Sequence, residues 1–223
     1  MNKVKRKPII VLGAGGHAKV LIELLRVARY KVLGLLDINK TKGDVFCGTL
    51  VLGSDKDISN FSPEDVDLVD GLGSFPGYET RFKVAKIFRD KGYNFVSVIH
   101  PSSTIASDVT IEEGAQIMAA CILQPGVKVG LDSIINTGTI VDHDCIVGKN
   151  CHLAPGVTLS GGVHIHDGVH IGPGSSVIQN KMIGAGTIIA AASVVYHDVP
   201  ENVTYIQLRQ ETLTQNRLSL IHI

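Results

Sequence analysis

The chain has 223 residues and a mass of 23.8 kDa, enough for one large domain or two small ones. Its 44% hydrophobic and 19% charged residues exclude general disorder, and equal numbers of basic and acidic residues, 21 each, leave no net charge to attract nucleic acid or anionic lipid. There is no uncharged apolar run of about 18 residues and no cleavage site after the first apolar run, so we expect no membrane span, no signal peptide and a cytoplasmic protein.

The first hundred residues have the pattern of a small α/β domain. An apolar run at 8–12 precedes the glycine-rich segment GAGGHAK and an amphipathic helix over 20–30. Further strands are predicted at 32–36, 66–71 and 95–99, with a second helix over 79–91. Strand, glycine loop, helix and strand in this order begin a doubly wound nucleotide-binding unit. Residues 1–100 therefore predict a Rossmann-like domain with a parallel sheet.

The glycine loop is the first candidate site. Gly13, Gly15 and Gly16 leave backbone N–H groups and the positive end of a helix open to a phosphate, with His17 directly after them. Asp37, at the tip of the second strand, can accept hydrogen bonds from a ribose or a base. The loop matches only the loosest form of the dinucleotide fingerprint. A tight turn without a ligand, a histidine bonded to its own loop and an ordinary acid at a strand end remain the alternatives.

A six-residue repeat begins near residue 105. Aliphatic side chains occupy sixteen consecutive positions in one register: Ile105, Ile111, Ile117, Leu123, Val129, Ile135, Val141, Val147, Leu153, Leu159, Ile165, Ile171, Val177, Ile183, Ile189 and Val195. A small or β-branched residue usually follows four positions later, and a Gly, Asn or Asp that tolerates unusual φ often precedes it. Neither an amphipathic strand nor a helix repeats every six residues, so the pattern predicts a parallel β-helix.

This repeat resembles the left-handed β-helix, or hexapeptide-repeat, superfamily, whose triangular coils each take three hexads. The resemblance implies a left-handed parallel β-helix of about five coils over residues 101–200, followed by a C-terminal tail over 201–223. Residues 18 apart should then lie in one column, roughly 4.8 Å from one another.

Three of the four cysteines fall at the small inward position of their hexads: Cys121, Cys145 and Cys151. We expect them to be small buried side chains in a reducing compartment rather than a metal site or reactive thiols. Cys47 lies outside the repeat.

The two parts together resemble a known enzyme family. A small α/β domain with a GxGGHAK loop, followed by hexapeptide coils, is similar to the bacterial sugar acetyltransferases of the sialic-acid O-acetyltransferase family. Within that family, the N-acetyltransferases of nucleotide-linked 4-amino-sugars are most alike. The resemblance covers residues 8–200 and implies acetyl-CoA as donor, a nucleotide-linked amino-sugar held by the N-terminal domain, a role in surface glycan or lipopolysaccharide synthesis, and a homotrimer with active sites between neighbouring β-helices.

Acetyl transfer to an amine needs a general base, because the amine must be neutral to attack and loses a proton as the bond forms. Histidine has a suitable unperturbed pKa, and His143 is the best placed because Asp142 and Asp144 flank it. The family motif of a histidine followed by an acid maps onto His143 and Asp144, which we predict to be catalytic. Asp142 is the alternative orienting group, and an exposed bend residue is the alternative interpretation of His143.

Three more residues belong to the predicted acetyl-CoA and sugar sites. Gly161 lies 18 residues after His143, so it should share its column, and its N–H could stabilise an oxyanion. The resemblance places Gly161 at the acetyl carbonyl, His152 near the thioester and Asn136 near the sugar. From the sequence pattern alone, each residue has an alternative interpretation. Asn136 could be a turn residue, Gly161 could merely permit a tight corner, and His152 could contact no ligand. After residue 200 the sequence departs from the family's usual ending, which leaves coenzyme contacts there open.

Rival functions follow from other features. Zinc-dependent γ-class carbonic anhydrases are also trimeric left-handed β-helices, and the segment 163–170 is rich in histidine. That family has a pair of histidines five apart on one coil, whereas no two histidines here are five apart, so we predict solvated surface histidines and no metal site. An O-acetyltransferase acting on sialic acid or another sugar hydroxyl would use the same base. A non-catalytic nucleotide-sugar sensor would keep the fold without the chemistry. The His143–Asp144 pair argues against the sensor, and the glycine loop favours a nucleotide-linked substrate.

Overall fold

The N-terminal part of the chain forms a five-stranded sheet with two α-helices. The computed structural model describes residues 6–74 and 80–207. Its first elements, in chain order, are β1 (Ile9–Leu12), α1 (Gly16–Val27), β2 (Val32–Leu36), β3 (Val45–Phe46), β4 (Thr49–Gly53), a 3-10 helix (Asp55–Asn60), β5 (Asp67–Asp70) and α2 (Thr80–Asp90).

The sheet has the order β3-β4-β2-β1-β5, and all its pairs are parallel except β3 with β4. The central strand β1 is apolar and buried throughout, as expected for a strand covered on both faces. The parallel sheet of an α/β domain is thus confirmed. The β3–β4 hairpin was not predicted, because its strands are short and its turn, Cys47-Gly48, lacks the usual Asn-Gly or Asp-Gly signal.

Helix α1 begins earlier than its apolar pattern indicates. Gly15 adopts an extended conformation, φ −89° and ψ −169°, so the helix starts at Gly16 and includes His17 in its first turn. It ends at Val27, because Arg29 adopts a left-handed conformation with φ 58°. The early start places His17 in the helix rather than in the loop before it.

Residues 98–205 form three parallel sheets. Face 1 has six strands, Thr104–Ile105, Ile122–Leu123, Ile140–Val141, Thr158–Leu159, Ser176–Val177 and Val194–Val195. Face 2 has five strands, Thr110–Ile111, Lys128–Val129, Ile146–Val147, His164–Ile165 and Met182–Ile183. Face 3 has seven strands, Val98–Ile99, Gln116–Ile117, Ile134–Ile135, His152–Leu153, His170–Ile171, Ile188–Ile189 and Thr204–Tyr205.

The register of the three faces follows the hexad pattern. On face 1, for example, Val141 pairs with Leu123 below it and Leu159 above it, each 18 residues away. The second residue of nearly every two-residue strand points inward and is buried, so the aliphatic series forms the solenoid core. Packing of these inward aliphatic side chains stabilises the solenoid, because each two-residue strand is too short to be stable alone.

The chain passes from one sheet to the other between Phe95 and Ile99. Phe95 forms a single bridge with Leu68, and Val98–Ile99 then pairs with Gln116–Ile117 on face 3. The predicted last strand of the α/β domain is therefore divided between the two sheets. As a result, one apolar core runs from β1 and α1 into the solenoid.

A half-buried ion pair links the second helix to the solenoid. Arg89 of α2 donates from both Nη atoms to Asp132, with Nη2 2.8 Å from Oδ1, and also contacts Glu113. Asp132 is only 4% exposed, and its carboxylate lies over Gly114, where a Cβ would overlap Oδ1. A bidentate pair fixes the relative orientation of its two side chains and adds the attraction of opposite charges. It therefore gives α2 a defined position against the solenoid. No helix within 6–74 or 80–207 has the length and apolar character that crossing a membrane requires.

Candidate active site

His143 lies at the corner between face 1 and face 2. Its Nδ1 is 2.9 Å from Asp144 Oδ2, and its backbone N–H donates to Asp142 Oδ1 at 2.7 Å. A carboxylate can only accept, so Nδ1 carries the proton and Nε2 is left as a proton acceptor. The two flanking acids therefore do different things: Asp144 orients the imidazole, and Asp142 holds the backbone. The His143 side chain is 61% exposed, so substrate can reach Nε2.

Asp144 reaches the imidazole because of its backbone. It adopts a left-handed conformation with φ 60°, which a short polar residue tolerates better than most. Its carboxylate lies over Gly126 in the neighbouring coil, where a Cβ would press on Oδ1. Asp144 and Gly126 both occupy the turn position of their hexads, at which this sequence often has Gly, Asn or Asp.

The two acids raise the pKa of His143 above its ordinary value. The hydrogen bond to Asp144 contributes most, and the negative charge of Asp142 adds to it. A higher pKa makes Nε2 a stronger base, but it also keeps the imidazole protonated up to a higher pH.

Replacing Asp144 with asparagine should shift the acidic limb of the pH profile of kcat/KM to lower pH. It should also reduce the value of kcat/KM on the plateau. The base acts when neutral, so activity rises as pH rises through the His143 pKa, and losing the carboxylate lowers that pKa. The measurement is kcat/KM between pH 5 and 9. Asp142→Asn is the matched control, in which a smaller shift in the same direction is expected. An unmoved limb in Asp144→Asn would contradict the orienting role.

Gly161 lies directly against the His143 ring. A Cβ at Gly161 would be 2.6 Å from His143 Cε1 and still closer to Nε2, so only glycine leaves room for the imidazole. The next residue, Gly162, donates from its N–H to the His143 carbonyl at 2.9 Å. Within the described residues the Gly161 N–H has no acceptor, so it can donate to a group beside Nε2.

Asp37 is tied to the glycine loop. Its Oδ2 accepts from the Ala14 N–H at 2.7 Å, and its Oδ1 accepts from Asn39 N–H at 2.8 Å. Gly13 requires glycine because its φ is +88° and a Cβ would overlap Leu72. The loop and the tip of β2 therefore form one hydrogen-bonded unit.

Gly15 and Gly16 lie at the open end of α1. Among residues 6–74 and 80–207 a Cβ at either position would meet nothing within 4 Å, so no contact in that part of the chain explains these glycines. The first N–H groups of a helix have no intrahelical acceptor. Within the described part of the chain the Gly15 and Gly16 N–H groups have no acceptor, as a phosphate site requires.

His17 faces the solenoid rather than its own loop. Its Nε2 lies 2.7 Å from Gln116 Oε1, and Gln116 Nε2 donates to the Asp70 carbonyl at 2.8 Å. Burial and the nearby Arg81 lower the pKa of His17 to about 4. His17 is therefore a neutral side chain at the contact between the two parts of the chain.

Asn136 and His152 contact each other on face 3. Asn136 Nδ2 donates to His152 Nε2 at 3.1 Å, since Asn136 Oδ1 already accepts from the Thr137 N–H. Burial, chiefly, lowers the pKa of His152 to about 3. The His152 ring also packs edge-on against His170, with 4.9 Å between centroids. The prediction that His170 is a solvated surface histidine is wrong, because its Nδ1 is buried.

The predicted residues of the solenoid form two groups in one chain. His143, Asp144 and Gly161 share the corner of faces 1 and 2, whereas Asn136 and His152 lie on face 3 below the N-terminal domain. No hydrogen bond joins the two groups within 6–74 and 80–207.

The cysteines of the repeat are buried, and burial raises the thiol pKa of Cys121 and Cys145 to about 11 and of Cys151 to about 12. They are accordingly poor nucleophiles. Across the described part of the chain, no three metal-binding side chains are grouped to hold an ion.

Three polar residues of the domain contact have no counterpart in the sequence-based prediction. Arg81 of α2 donates to the carbonyls of Asp70 and Leu72 and lies 3.3 Å from Asp70 Oδ1, while Gln116 bonds His17. Burial raises the Asp70 pKa to about 6, and Arg81 opposes that rise. A glutamine at an outward strand position is ordinarily exposed, so nothing in the hexad pattern pointed to Gln116.

Comparison with known proteins extends over both parts of the chain. Residues 8–99 match the family model described as the PglD N-terminal domain. No curated protein sequence gives a significant match.

Many solved structures are similar, among them the following three. A histidine-to-asparagine variant of perosamine N-acetyltransferase from Caulobacter crescentus, in complex with CoA and GDP-perosamine, shares 33% identity over 91% of this chain and 93% of its own, with a TM-score of 0.82. The acetyltransferase domain of PglB from Neisseria gonorrhoeae, in complex with acetyl coenzyme A, shares 30% identity over 90% and 96%, with a TM-score of 0.83. WeeI from Acinetobacter baumannii, at 23% identity over 89% and 95% and a TM-score of 0.60, supports the fold alone.

Proposed function

Because the chain belongs to the left-handed β-helix sugar acetyltransferases of the sialic-acid O-acetyltransferase family, we propose that it N-acetylates a nucleotide-linked 4-amino-sugar with acetyl-CoA as donor. The observation that carries the proposal is the His143–Asp144 pair with Gly161 against it. This is a free, oriented base beside an unpaired N–H donor. Acetyl transfer to an amine needs both.

The reaction follows from these atoms. The sugar amine attacks the acetyl carbonyl carbon, so a C–N bond forms, and the amine proton passes to His143 Nε2. The Gly161 N–H stabilises the negative charge on the carbonyl oxygen. The C–S bond then breaks, and the proton on His143 neutralises the departing CoA thiolate. Asp144 keeps the imidazole oriented throughout and stabilises its protonated form.

The substrate nucleotide would be held by the N-terminal domain. Gly15, Gly16 and the start of α1 offer N–H donors to the diphosphate, Gly13 allows the turn that precedes them, and Asp37 lies beside the loop. The complex of the Caulobacter crescentus relative contains GDP-perosamine, a nucleotide-linked sugar. This supports the same substrate class here and a role in surface glycan synthesis.

The active enzyme would be a homotrimer whose sites lie between neighbouring solenoids. His143 is exposed in one chain and separate from Asn136 and His152, so a neighbour would bring the two groups together. Apolar side chains on the outside of faces 1 and 2 suit such an interface: Ile140, Ile146 and Met182 are 38%, 37% and 46% exposed. A monomer in sedimentation equilibrium would overturn this assembly.

The finer points of architecture and location belong to the same proposal. The three faces of the solenoid have six, five and seven strands, which supports about five coils. The α/β domain before them would end near residue 100. Residues 201–223 would be a tail whose first part, Thr204–Tyr205, extends face 3; residues 208–223 lie outside the described residues. Four free cysteines and an acetyl-CoA donor support a cytoplasmic location.

The test is thiol release from acetyl-CoA with a panel of UDP-, dTDP- and GDP-linked 4-amino-sugars and free sialic acid. Rapid release with one amino-sugar, absent in His143→Ala, is the expected result. Activity on sialic acid alone would assign the protein as an O-acetyltransferase. Binding of nucleotide-sugars without thiol release would favour the sensor.

Replacing Asp37 with alanine should raise KM for the nucleotide-sugar roughly tenfold with little change in kcat. The carboxylate holds the glycine loop through Ala14 and lies in reach of the nucleotide, but it is remote from His143. Steady-state kinetics with varied nucleotide-sugar give both constants. Asp44→Ala, an exposed acid outside the loop, is the control and should leave both unchanged. An unchanged KM in Asp37→Ala would separate Asp37 from the nucleotide.

A further inference from the structure

Strands β1 and β5 are neighbours in the sheet, but the helices that follow them lie on opposite faces. Val11 of β1 belongs to the core cluster that contains Leu21 of α1. Leu12, the next residue, belongs to the cluster that contains Phe88 of α2. Successive side chains of a strand point to opposite faces, so α1 and α2 cover different sides of the sheet. Ligands of such sheets bind in the crevice that opens between the segments after two strands of this kind.

Residues 71–74, which follow β5, lie directly against the glycine loop. A Cβ at Gly71 would be 2.6 Å from the carbonyl oxygen of Leu12, the last residue of β1. A Cβ at Gly13 would be 2.8 Å from Leu72 Cδ2. The crevice therefore has two walls, which are the glycine loop after β1 and segment 71–74 after β5.

Arg81, in the first turn of α2, holds the start of this segment. Its Nη1 donates to the Asp70 carbonyl at 2.8 Å and to the Leu72 carbonyl at 2.7 Å. Nη1 also lies 3.3 Å from Asp70 Oδ1, which accepts from the Leu72 N–H at 2.9 Å. Arg81 and Asp70 are 8% and 2% exposed, so these bonds are shielded from solvent and are costly to lose.

A second donor joins the same point to the solenoid. Gln116 Nε2, on face 3, donates to the Asp70 carbonyl at 2.8 Å. The segment therefore leaves β5 at a carbonyl that both α2 and the solenoid hold. In the part of the chain that the structure describes, the N–H groups of Gly73 and Ser74 have no acceptor. Like the glycine loop, the segment thus has donors left for a ligand.

Resting on the proposed function, we propose that Arg81 is a positioning residue for nucleotide-sugar binding, which holds segment 71–74 in place as the second wall of the crevice. Because Arg81 is buried and its Nη1 donates to two carbonyls, it acts through the segment rather than by touching the ligand. Within the described residues no hydrogen bond joins His143 to this network. Loss of Arg81 should therefore weaken nucleotide-sugar binding and leave proton transfer unchanged.

A charge-balanced pair of substitutions tests this role. Arg81→Met alone would leave the buried Asp70 carboxylate unpaired, so it is combined with Asp70→Asn, which keeps an acceptor for the Leu72 N–H. The KM for the nucleotide-sugar should rise about tenfold or more, while kcat and the Kd for acetyl-CoA change by less than about twofold. Steady-state kinetics and calorimetric titration give these constants, and thermal unfolding checks that the variant is folded.

The other ion pair of α2 provides the matched control. Arg89, in the last turn of the same helix, pairs with Asp132 of the solenoid, and neither side chain hydrogen-bonds segment 71–74. Arg89→Met with Asp132→Asn removes the same two charges and should leave the KM unchanged. No rise of KM in the Arg81 variant, or an equal rise in both variants, would overturn the positioning role.

Hydrogen exchange separates this inference from the proposed function, because it needs no substrate. The amides of Gly71 and Leu72 are hydrogen-bonded, and they should exchange about tenfold or more faster in the Arg81 variant but at the parent rate in the control. Unchanged exchange in the Arg81 variant would overturn the inference, whatever the protein acetylates. Titration of the parent with GDP, UDP and dTDP tests the proposed function instead. Binding of none of them would remove the nucleotide site, and faster exchange would then show that Arg81 orders the segment for no nucleotide.

Discussion

Replacing His143 with alanine should lower kcat by roughly 10²–10⁴-fold while acetyl-CoA still binds. The imidazole is the only base oriented by a carboxylate at the corner of faces 1 and 2 within the described residues. Its side chain is 61% exposed and contributes nothing to the solenoid core, so the variant should fold as the parent does. Thiol release gives kcat, and calorimetric titration gives the affinity for acetyl-CoA.

The control for this variant is another histidine of the same solenoid. His164 lies on face 2, half-buried and stacked on His166, and no carboxylate among residues 6–74 and 80–207 pairs with it. His164→Ala should keep nearly full activity. A turnover number in His143→Ala equal to that of the parent would remove His143 as the base. A loss in both variants would indicate damage to the solenoid instead.

Replacing Gly161 with alanine should lower kcat by about 10²-fold, because the added methyl group must displace the His143 ring. A displacement of about 1 Å at a reacting group can cost that much. Gly161 does not have a positive φ, so alanine should not strain the backbone there. The variant also retains the N–H at position 161. A lower kcat would therefore report the displacement of the base and not the loss of the oxyanion donor.

A double-mutant cycle provides the decisive control. In the His143→Ala background the ring is gone, so Gly161→Ala should cause little further loss. Equal losses from Gly161→Ala in both backgrounds would show that the methyl group acts elsewhere, for example on the acetyl group. Thermal unfolding of all three variants should match the parent, since a methyl group at position 161 meets the exposed His143 side chain and no residue of the solenoid core.

The solenoid was predictable because its signal is periodic. Each hexad places one aliphatic residue inward, and the 18-residue pairing of Val141 with Leu123 and Leu159 follows directly from that spacing. The adjacency of His143 and Gly161 was predictable for the same reason. The β3–β4 hairpin was not, because β3 has only two residues and belongs to no repeat that would reveal it.

The different roles of Asp142 and Asp144 could not be predicted from the order of the residues alone. Both acids are neighbours of His143, and either could have bonded the ring. The left-handed backbone at Asp144 and the space over Gly126 turn its carboxylate toward Nδ1. The acid next to it accepts from the backbone instead.

By itself, the sequence determined the repeat, the parallel α/β domain before it and the proximity of His143 to Gly161, because each depends on residues at short or regular spacing. Only the tertiary structure decided the environment of His17 and the pairing of Asn136 with His152. His17 and Gln116 are 99 residues apart and meet because the α/β domain packs on the first coils of face 3. No local pattern encodes such a contact, since it depends on how two separately patterned domains lie against each other.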